Sequence, residues 1–149
     1  MSRLRRRERR GQTLVEFALI LPIFILVLVG IFDMGRAVYA FNTISNSARE
    51  GMRTAIVDQN VTAITDRAVQ HATGLVSATD VTVTFEDVSS GTTHDSCADF
   101  SNGCKIGWKV TVTVDYDYNA ATPVIGNLVG TIGMQSTSTQ AIEYVYTSP

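Results

Sequence analysis

Residues 14–32 read LVEFALILPIFILVLVGIF and decide the architecture of the chain. Glu16 is the single charge in this stretch, and Pro22 is its strongest helix breaker. At a rise of about 1.5 Å per residue, a helix of this length crosses most of the ~30 Å hydrocarbon layer of a bilayer. A helix in a soluble core needs a polar face, which residues 17–32 lack. The stretch therefore predicts a transmembrane helix.

Charge is distributed unevenly on the two sides of this stretch. Six of the twelve Lys and Arg residues lie in the first ten positions, opposed by Glu8 alone. After residue 32, twelve acidic residues outnumber six basic ones, which gives a net charge of −6. Positive charge beside a span stays on the cytoplasmic side, so we expect the N-terminus inside and the C-terminus outside. An arginine cluster also suits nucleic acid, but next to an apolar run topology is the simpler interpretation, and we expect no nucleic-acid partner.

A secretory signal peptide is an alternative interpretation of a basic start followed by an apolar run. Val38 and Ala40, on either side of Tyr39, provide the small residues that signal peptidase requires at its site. However, Asp33 and Arg36 interrupt the approach to that site, and the apolar run is long for the core of a signal. A retained anchor is the favoured interpretation.

A more specific pattern lies where the basic and apolar parts meet. Gly11 ends the leader, and Glu16 follows five residues later, directly before Phe17. A lone carboxylate costs about 2.5–3.5 kcal/mol at the centre of a membrane helix and less near its end, so it usually has a function. A cut after Gly11 would free the amine of Gln12 about one helical turn from Glu16. Glu16 would then pair with this amine or with that of a neighbouring subunit; the alternative is a glutamate that reaches the membrane interface.

Residues 9–56 resemble the N-terminal region of TadE-like proteins, the minor pilins or pseudopilins of tight-adherence (Tad) pilus systems. The residues that carry the resemblance are Gly11, Glu16, Phe17, Pro22, Gly35, Arg36, Ala48, Arg49, Glu50 and Gly51. The resemblance implies cleavage by a prepilin peptidase, residence in the bacterial inner membrane and a role in assembling a surface fibre. The implied partners are that peptidase, other pilins or pseudopilins, the inner-membrane assembly platform and membrane lipid.

The helical pattern continues beyond the span. Apolar residues recur at spacings of three or four, which predicts an amphipathic stem: Val38, Phe41, Ile44, Ala48, Met52 and Ile56. Residues 61–75 show the same spacing and predict a second amphipathic helix that ends near Gly74.

The period then changes to two, which is typical of strands. Alternation predicts one strand over residues 81–86 and another over residues 108–115, with a final strand over residues 135–146. Residues 87–107 are rich in Ser, Gly, Asn and Asp and predict a long irregular loop, and residues 119–133 are small and turn-prone. A small antiparallel sheet of three or four strands is expected.

Two cysteines, Cys97 and Cys104, lie in the part that is expected outside the cytosol. An oxidising compartment favours a disulfide between them, which would tie down the loop. His94 and both cysteines suit zinc in principle, but a fourth ligand is not evident. Neither His94 nor His71 forms a catalytic constellation with a nearby serine or cysteine. We expect no enzyme activity, cofactor, metal site or small-molecule substrate.

These features predict an α+β protein in which a long N-terminal helix packs against a small antiparallel sheet, as in type IV pilins. Its expected parts are a basic cytoplasmic leader at residues 1–11, a transmembrane helix at 12–33, an amphipathic stem at 34–57 and an exported α+β domain at 58–149. The expected function is that of a minor pilin or pseudopilin that helps assemble a Tad-type type IV pilus. The alternative is an unprocessed, membrane-anchored binding or adhesion module that faces the periplasm or the cell exterior.

Overall fold

The computed structural model describes residues 2–97 and 103–145. In chain order its elements are helix α1 (Ser2–Ala55), helix α2 (Val61–His71), a 3₁₀ turn (Ala78–Asp80), strands β1 (Val81–Asp87), β2 (Thr92–His94) and β3 (Lys109–Asn119), helix α3 (Pro123–Val129) and strand β4 (Thr131–Ala141). The predicted α+β fold is confirmed, because a long apolar N-terminal helix packs against a four-stranded antiparallel sheet.

Helix α1 joins the predicted span and the predicted stem in one element. It continues through Pro22 and ends at Ala55. The apolar side chains of its first half contact little of the protein: Leu14 is 70 % exposed and Phe24 57 %. The helix is long and apolar enough to cross a membrane. So much exposed apolar surface requires a cover of lipid or of another protein chain.

Helix α2 is shorter than the sequence predicts. The side chain of Asn60 caps its N-terminus by accepting hydrogen bonds from the backbone N–H groups of Thr62 and Ala63. The helix ends at His71 rather than near residue 75, because Thr73 and Gly74 both adopt positive φ angles that leave the helical region.

The strands lie in the order β2-β1-β3-β4, and every neighbouring pair is antiparallel. The alternation that predicts the first two long strands is visible in their burial, since Val110, Val112 and Val114 are fully buried while their neighbours are not. Three details of the prediction were wrong. The loop at 87–107 contains the short strand β2, the final strand runs from Thr131 to Ala141, and part of the turn-prone stretch forms α3.

The physical reasons for these corrections are local. Pro123 occupies the first turn of α3, where its fixed φ favours a helix and its missing N–H costs nothing. Gly130 ends that helix with a φ of 72° and allows β4 to begin at once. Residues 98–102 and 146–149 lie outside the described part of the chain, so the predicted strand end at residue 146 falls there.

The core lies between the outer half of α1, helix α2 and one face of the sheet. Its members are mainly small or branched apolar residues: Ile44, Ala48, Met52, Ala55, Ile64, Ala68, Val83, Phe85, Val110, Val112, Val114 and Ile142. At one end of the sheet, Tyr118 of β3 contacts Asp33 of α1. At the other end, the N–H of Tyr144, three residues after β4, donates to the carbonyl of Ile56, the residue after α1. The β3–β4 connection with α3 therefore lies at the end of the domain nearest the predicted membrane.

The apolar stripe of the predicted stem is buried only from Ile44 onward. Val38 and Phe41 are 54 % and 49 % exposed, whereas Ala40, Ile44 and Ala48 are buried. The sheet docks against a face of α1 that is rotated away from these two larger side chains. An apolar strip of the stem consequently stays uncovered.

Candidate functional site

The predicted processing residues share one face of α1. Gly11, Gln12, Val15, Glu16 and Leu19 line a shallow surface groove at the start of the apolar segment. Their spacing of three to four residues explains this, because such positions project from the same side of a helix. The structure therefore places the backbone at Gly11 and the carboxylate of Glu16 along a single groove.

Gly11 is exposed, and a Cβ placed on it would meet no other atom within 4 Å. The described structure thus contains no steric reason for glycine at this position. Interior glycine also weakens a helix by roughly 0.5–1 kcal/mol relative to alanine.

Glu16 and Phe17 point in different directions. Glu16 lies in the groove with Gln12, whereas Phe17 is one position further around the helix and is 62 % exposed. Among the side chains that the structure describes, none forms an ion pair with Glu16.

At the other end of the span, Asp33 forms a buried polar clasp with the segment before α3. One carboxylate oxygen accepts a hydrogen bond from the N–H of Ala121 at 3.1 Å, and the other accepts from the N–H of Thr122 at 3.4 Å. The hydroxyl of Thr122 also donates to the second oxygen. Only 6 % of Asp33 is exposed. The clasp satisfies the backbone N–H groups of the two residues directly before α3.

Arg36 and Tyr118 complete this clasp. The guanidinium of Arg36 lies 3.8 Å from the Asp33 carboxylate and 6.0 Å from the centre of the Tyr118 ring. The Tyr118 hydroxyl donates to the backbone carbonyl of Asp33 at 2.8 Å. The distances suit a charge pair with a cation–π contact. The end of the span and the end of β3 are held together by these contacts.

A close helix crossing fixes the stem against α2. A Cβ on Gly51 would lie 3.1 Å from the Cβ of Ala68, so only glycine fits there without a shift. The buried hydroxyl of Ser47 donates to the carbonyl of Ala68 at 2.6 Å. Glu50 pairs with Arg67 across the two helices at 3.7 Å. Gly51 therefore permits the close approach of the two helices, and Glu50 forms an ion pair between them.

The disulfide between Cys97 and Cys104 is present, with the two Cα atoms 5.2 Å apart. Cys104 is buried in the core, and the ring of Trp108 stacks on His94 with 6.0 Å between centres. Both thiols are used by the disulfide, so they are not zinc ligands in this state. Within residues 2–97 and 103–145, no group of three His, Cys, Asp or Glu side chains is arranged to hold a metal ion.

The clasp at Asp33 was not predicted as a site. The sequence shows Asp33 and Arg36 only as charges that end the apolar run, three positions apart. Their partners Tyr118, Ala121 and Thr122 lie 85 to 89 positions away in the chain. The sequence signal for the clasp is Asp33 itself, a charge directly after the span whose only nearby partner in the sequence is Arg36.

One comparison with known proteins is positive. The model of a family described as "TadE-like protein" matches residues 11–53, less than a third of the chain. The matched range contains the groove at Gly11 and Glu16, the clasp residue Asp33 and the crossing at Gly51. No curated protein and no solved structure matches the chain.

Proposed function

We propose that this chain, whose residues 11–53 match the model of TadE-like proteins, is a minor pilin or pseudopilin that helps assemble a Tad-type type IV pilus. A family match together with a long apolar N-terminal helix fits a Tad-associated, pilin-like protein. The observation that carries the proposal is the exposed apolar surface of α1, which continues past the end of the span.

That surface extends from the span onto the stem. Ile31, Met34, Val38 and Phe41 follow one another at helical spacing, and each is about half exposed or more. The last three lie beyond Asp33, where the helix leaves the hydrocarbon layer. Lipid tails do not cover them there, and the sheet does not either. A second α1 helix packed alongside would cover both the span and this strip.

Processing prepares the helix for such packing. Cleavage after Gly11 by a prepilin peptidase removes the arginine-rich leader, which otherwise holds the N-terminus on the cytoplasmic side. The new amine of Gln12 and the carboxylate of Glu16 then lie on one face, about 6 Å apart along the axis. In an assembly, Glu16 pairs with the amine of a neighbouring subunit and sets the axial register. Phe17 contributes apolar contact next to that pair.

The same arrangement implies a location. The protein is a single-pass protein of the bacterial inner membrane with residues 1–11 in the cytoplasm and residues 58–149 outside it. The disulfide between Cys97 and Cys104 supports this orientation, because disulfides persist in oxidising compartments. Its partners are other pilins or pseudopilins, the assembly platform and the peptidase, and its role requires no catalysis by the chain itself.

Intact-mass spectrometry of the protein, co-expressed with its peptidase, tests the processing step. The expected product begins at Gln12. Replacing Gly11 with leucine should abolish cleavage, whereas Gly35→Leu, a change of the same size outside the proposed site, should leave cleavage intact. An unprocessed N-terminus in cells that make the pilus would contradict the proposal and leave the anchored binding or adhesion module as the better function.

Two glutamate substitutions at equally exposed valines test the packing surface. Val38 and Val88 are each 54 % exposed, but only Val38 lies on the α1 strip. Val38→Glu should reduce pilus formation or co-purification with other pilins, and Val88→Glu should not. Equal effects of the two substitutions would argue against α1 as the assembly surface.

A further inference from the structure

Helix α3 is an apolar element at the membrane-facing end of the domain. Its sequence, PVIGNLV, contains no charge, and no Asp, Glu, Lys or Arg occurs anywhere from residue 118 to residue 142. A surface loop of a soluble domain usually carries charge. Val129 in α3 and Ile132 at the start of β4 are 53 % and 40 % exposed, so the fold does not cover them.

Helix α3 begins beside the apolar span and not beyond its end. Thr122 and Pro123 border an apolar cleft of about 440 Å³ whose other walls belong to the span: Leu21, Pro22, Ile25, Leu26 and Val29. Val29 precedes Asp33 by four positions, which corresponds to about 6 Å toward the membrane centre. The start of α3 therefore lies at the depth of residues that the bilayer surrounds.

The backbone N–H groups just before α3 have hydrogen-bond partners within the protein. A backbone N–H group without a hydrogen-bond acceptor destabilises a protein in lipid, because no water is there to accept the bond. The carboxylate of Asp33 accepts the N–H groups of Ala121 and Thr122, and Pro123 has no N–H at all. Within the helix, Gly126 N–H donates to Thr122 and Gly130 N–H donates to Gly126. Non-helical backbone before α3 can thus enter the bilayer boundary with its donors satisfied.

We propose that α3 is a membrane-inserted element: in the membrane-resident protein it lies in the lipid leaflet nearest the folded domain, and acyl chains fill the cleft between it and the span. The lipid surface is the occupant because the cleft is continuous with the exposed apolar face of the span, which the bilayer already covers. The domain is then held against the membrane at two places, through α1 and through α3. This inference rests on the span and is independent of cleavage after Gly11.

Nitroxide labels on the full-length protein test it, with one protein per nanodisc of phosphatidylethanolamine and phosphatidylglycerol. The native disulfide leaves each introduced cysteine as the single reactive thiol. Labels are placed at Val129→Cys and, as a second α3 position, Asn127→Cys. Phe24→Cys in the span is the lipid control, and Ser90→Cys in the exposed β1–β2 turn is the water control. The measurement compares collision rates with oxygen, which enters lipid, and with a water-soluble nickel chelate.

We expect the label at Val129 to resemble that at Phe24, with oxygen collisions several-fold above nickel collisions, and the label at Ser90 to show the reverse. A Val129 label as accessible to nickel as the Ser90 label, while Phe24 remains in lipid, would overturn the role of α3. The Val129 label could be accessible to nickel at one protein per disc but inaccessible to nickel in crowded vesicles. That result would assign the exposed face of α3 to contact with a second copy and would also overturn the proposal. Failure of Phe24 itself to reach lipid would refute the span.

Discussion

The hydroxyl of Tyr118 donates a 2.8 Å hydrogen bond to the backbone carbonyl of Asp33 and so joins the end of β3 to the end of the predicted span. Tyr118 is only 3 % exposed. The bond fixes the height of the sheet along α1, because a shift of the sheet along the helix would break it. Together with the Asp33 carboxylate, this contact connects α1 to the segment that joins β3 and α3.

Tyr118→Phe removes the hydroxyl and keeps the ring beneath Arg36. We expect a loss of about 1 kcal/mol in the free energy of unfolding, the usual net value of one hydrogen bond. Denaturant unfolding in detergent micelles measures it. Tyr144→Phe, at a residue that is 57 % exposed, is the control and should change little. Equal stability of both variants and the parent would contradict the role of the Tyr118 bond.

Asp33→Ala should release the segment before α3, because the N–H groups of Ala121 and Thr122 lose their acceptor. Hydrogen exchange at these two amides should become much faster, while the core amide of Val112 keeps its protection. Asp33→Asn retains an oxygen acceptor and should show a smaller effect. Asp117→Asn changes an exposed carboxylate close by in the sequence and serves as control. Unchanged exchange at Thr122 in the Asp33→Ala variant would refute the clasp.

The two stem glycines should respond to alanine in opposite directions. At Gly35 a Cβ meets nothing within 4 Å, so Gly35→Ala should raise stability by up to about 1 kcal/mol through helix propensity. At Gly51 the same Cβ would lie 3.1 Å from Ala68 and 3.3 Å from Val112, and alanine should lower stability. Gly51→Val should cost more, about 1–3 kcal/mol, through overpacking. Thermal unfolding of the three variants tests this, and a stabilised Gly51→Ala would show that the helices separate easily.

Glu16 should be needed for assembly and dispensable for cleavage. We expect Glu16→Ala and the isosteric Glu16→Gln to yield a mature chain that begins at Gln12 but to reduce pilus number. The charge is the lost property, since glutamine keeps the shape. Mass spectrometry follows processing and electron microscopy follows the fibres. Normal piliation in both variants would remove the charge-pairing role proposed for Glu16.

Acid should loosen the turn before β1. The backbone N–H and the hydroxyl of Ser77 donate to the carboxylate of Asp80, and these bonds hold the pKa of Asp80 below its ordinary value of 3.8. A lowered folded pKa means that this stabilisation is complete above the ordinary value and is lost as the pH falls through the folded one. An NMR titration should show the Ser77 amide shifting with Asp80 below pH 3.8. Asp80→Asn should abolish that shift, and a Ser77 amide that titrates unchanged in this variant would contradict the assignment.

Much of the fold follows from local patterns. The apolar run at 14–32 predicts the first half of α1, and alternation over residues 81–86 and 108–115 predicts the strands that became β1 and β3. These predictions succeed because the period of the apolar residues reports the backbone conformation directly. Helix α3 was missed because seven small and apolar residues between turn formers have no clear period. The proposed processing face around Gly11 and Glu16 required only the sequence, since both residues lie within two helical turns.

By itself, the sequence determined a long apolar helix near the N-terminus, a basic segment before it and a pair of cysteines spaced to close a loop. Only the tertiary structure decided which face of the stem is buried and what Asp33 does. Whether Val38 is covered depends on where the sheet docks, and the acceptor for the N–H of Thr122 lies 89 positions earlier in the chain. Such choices are made by packing between distant segments, on which local periodicity carries no information.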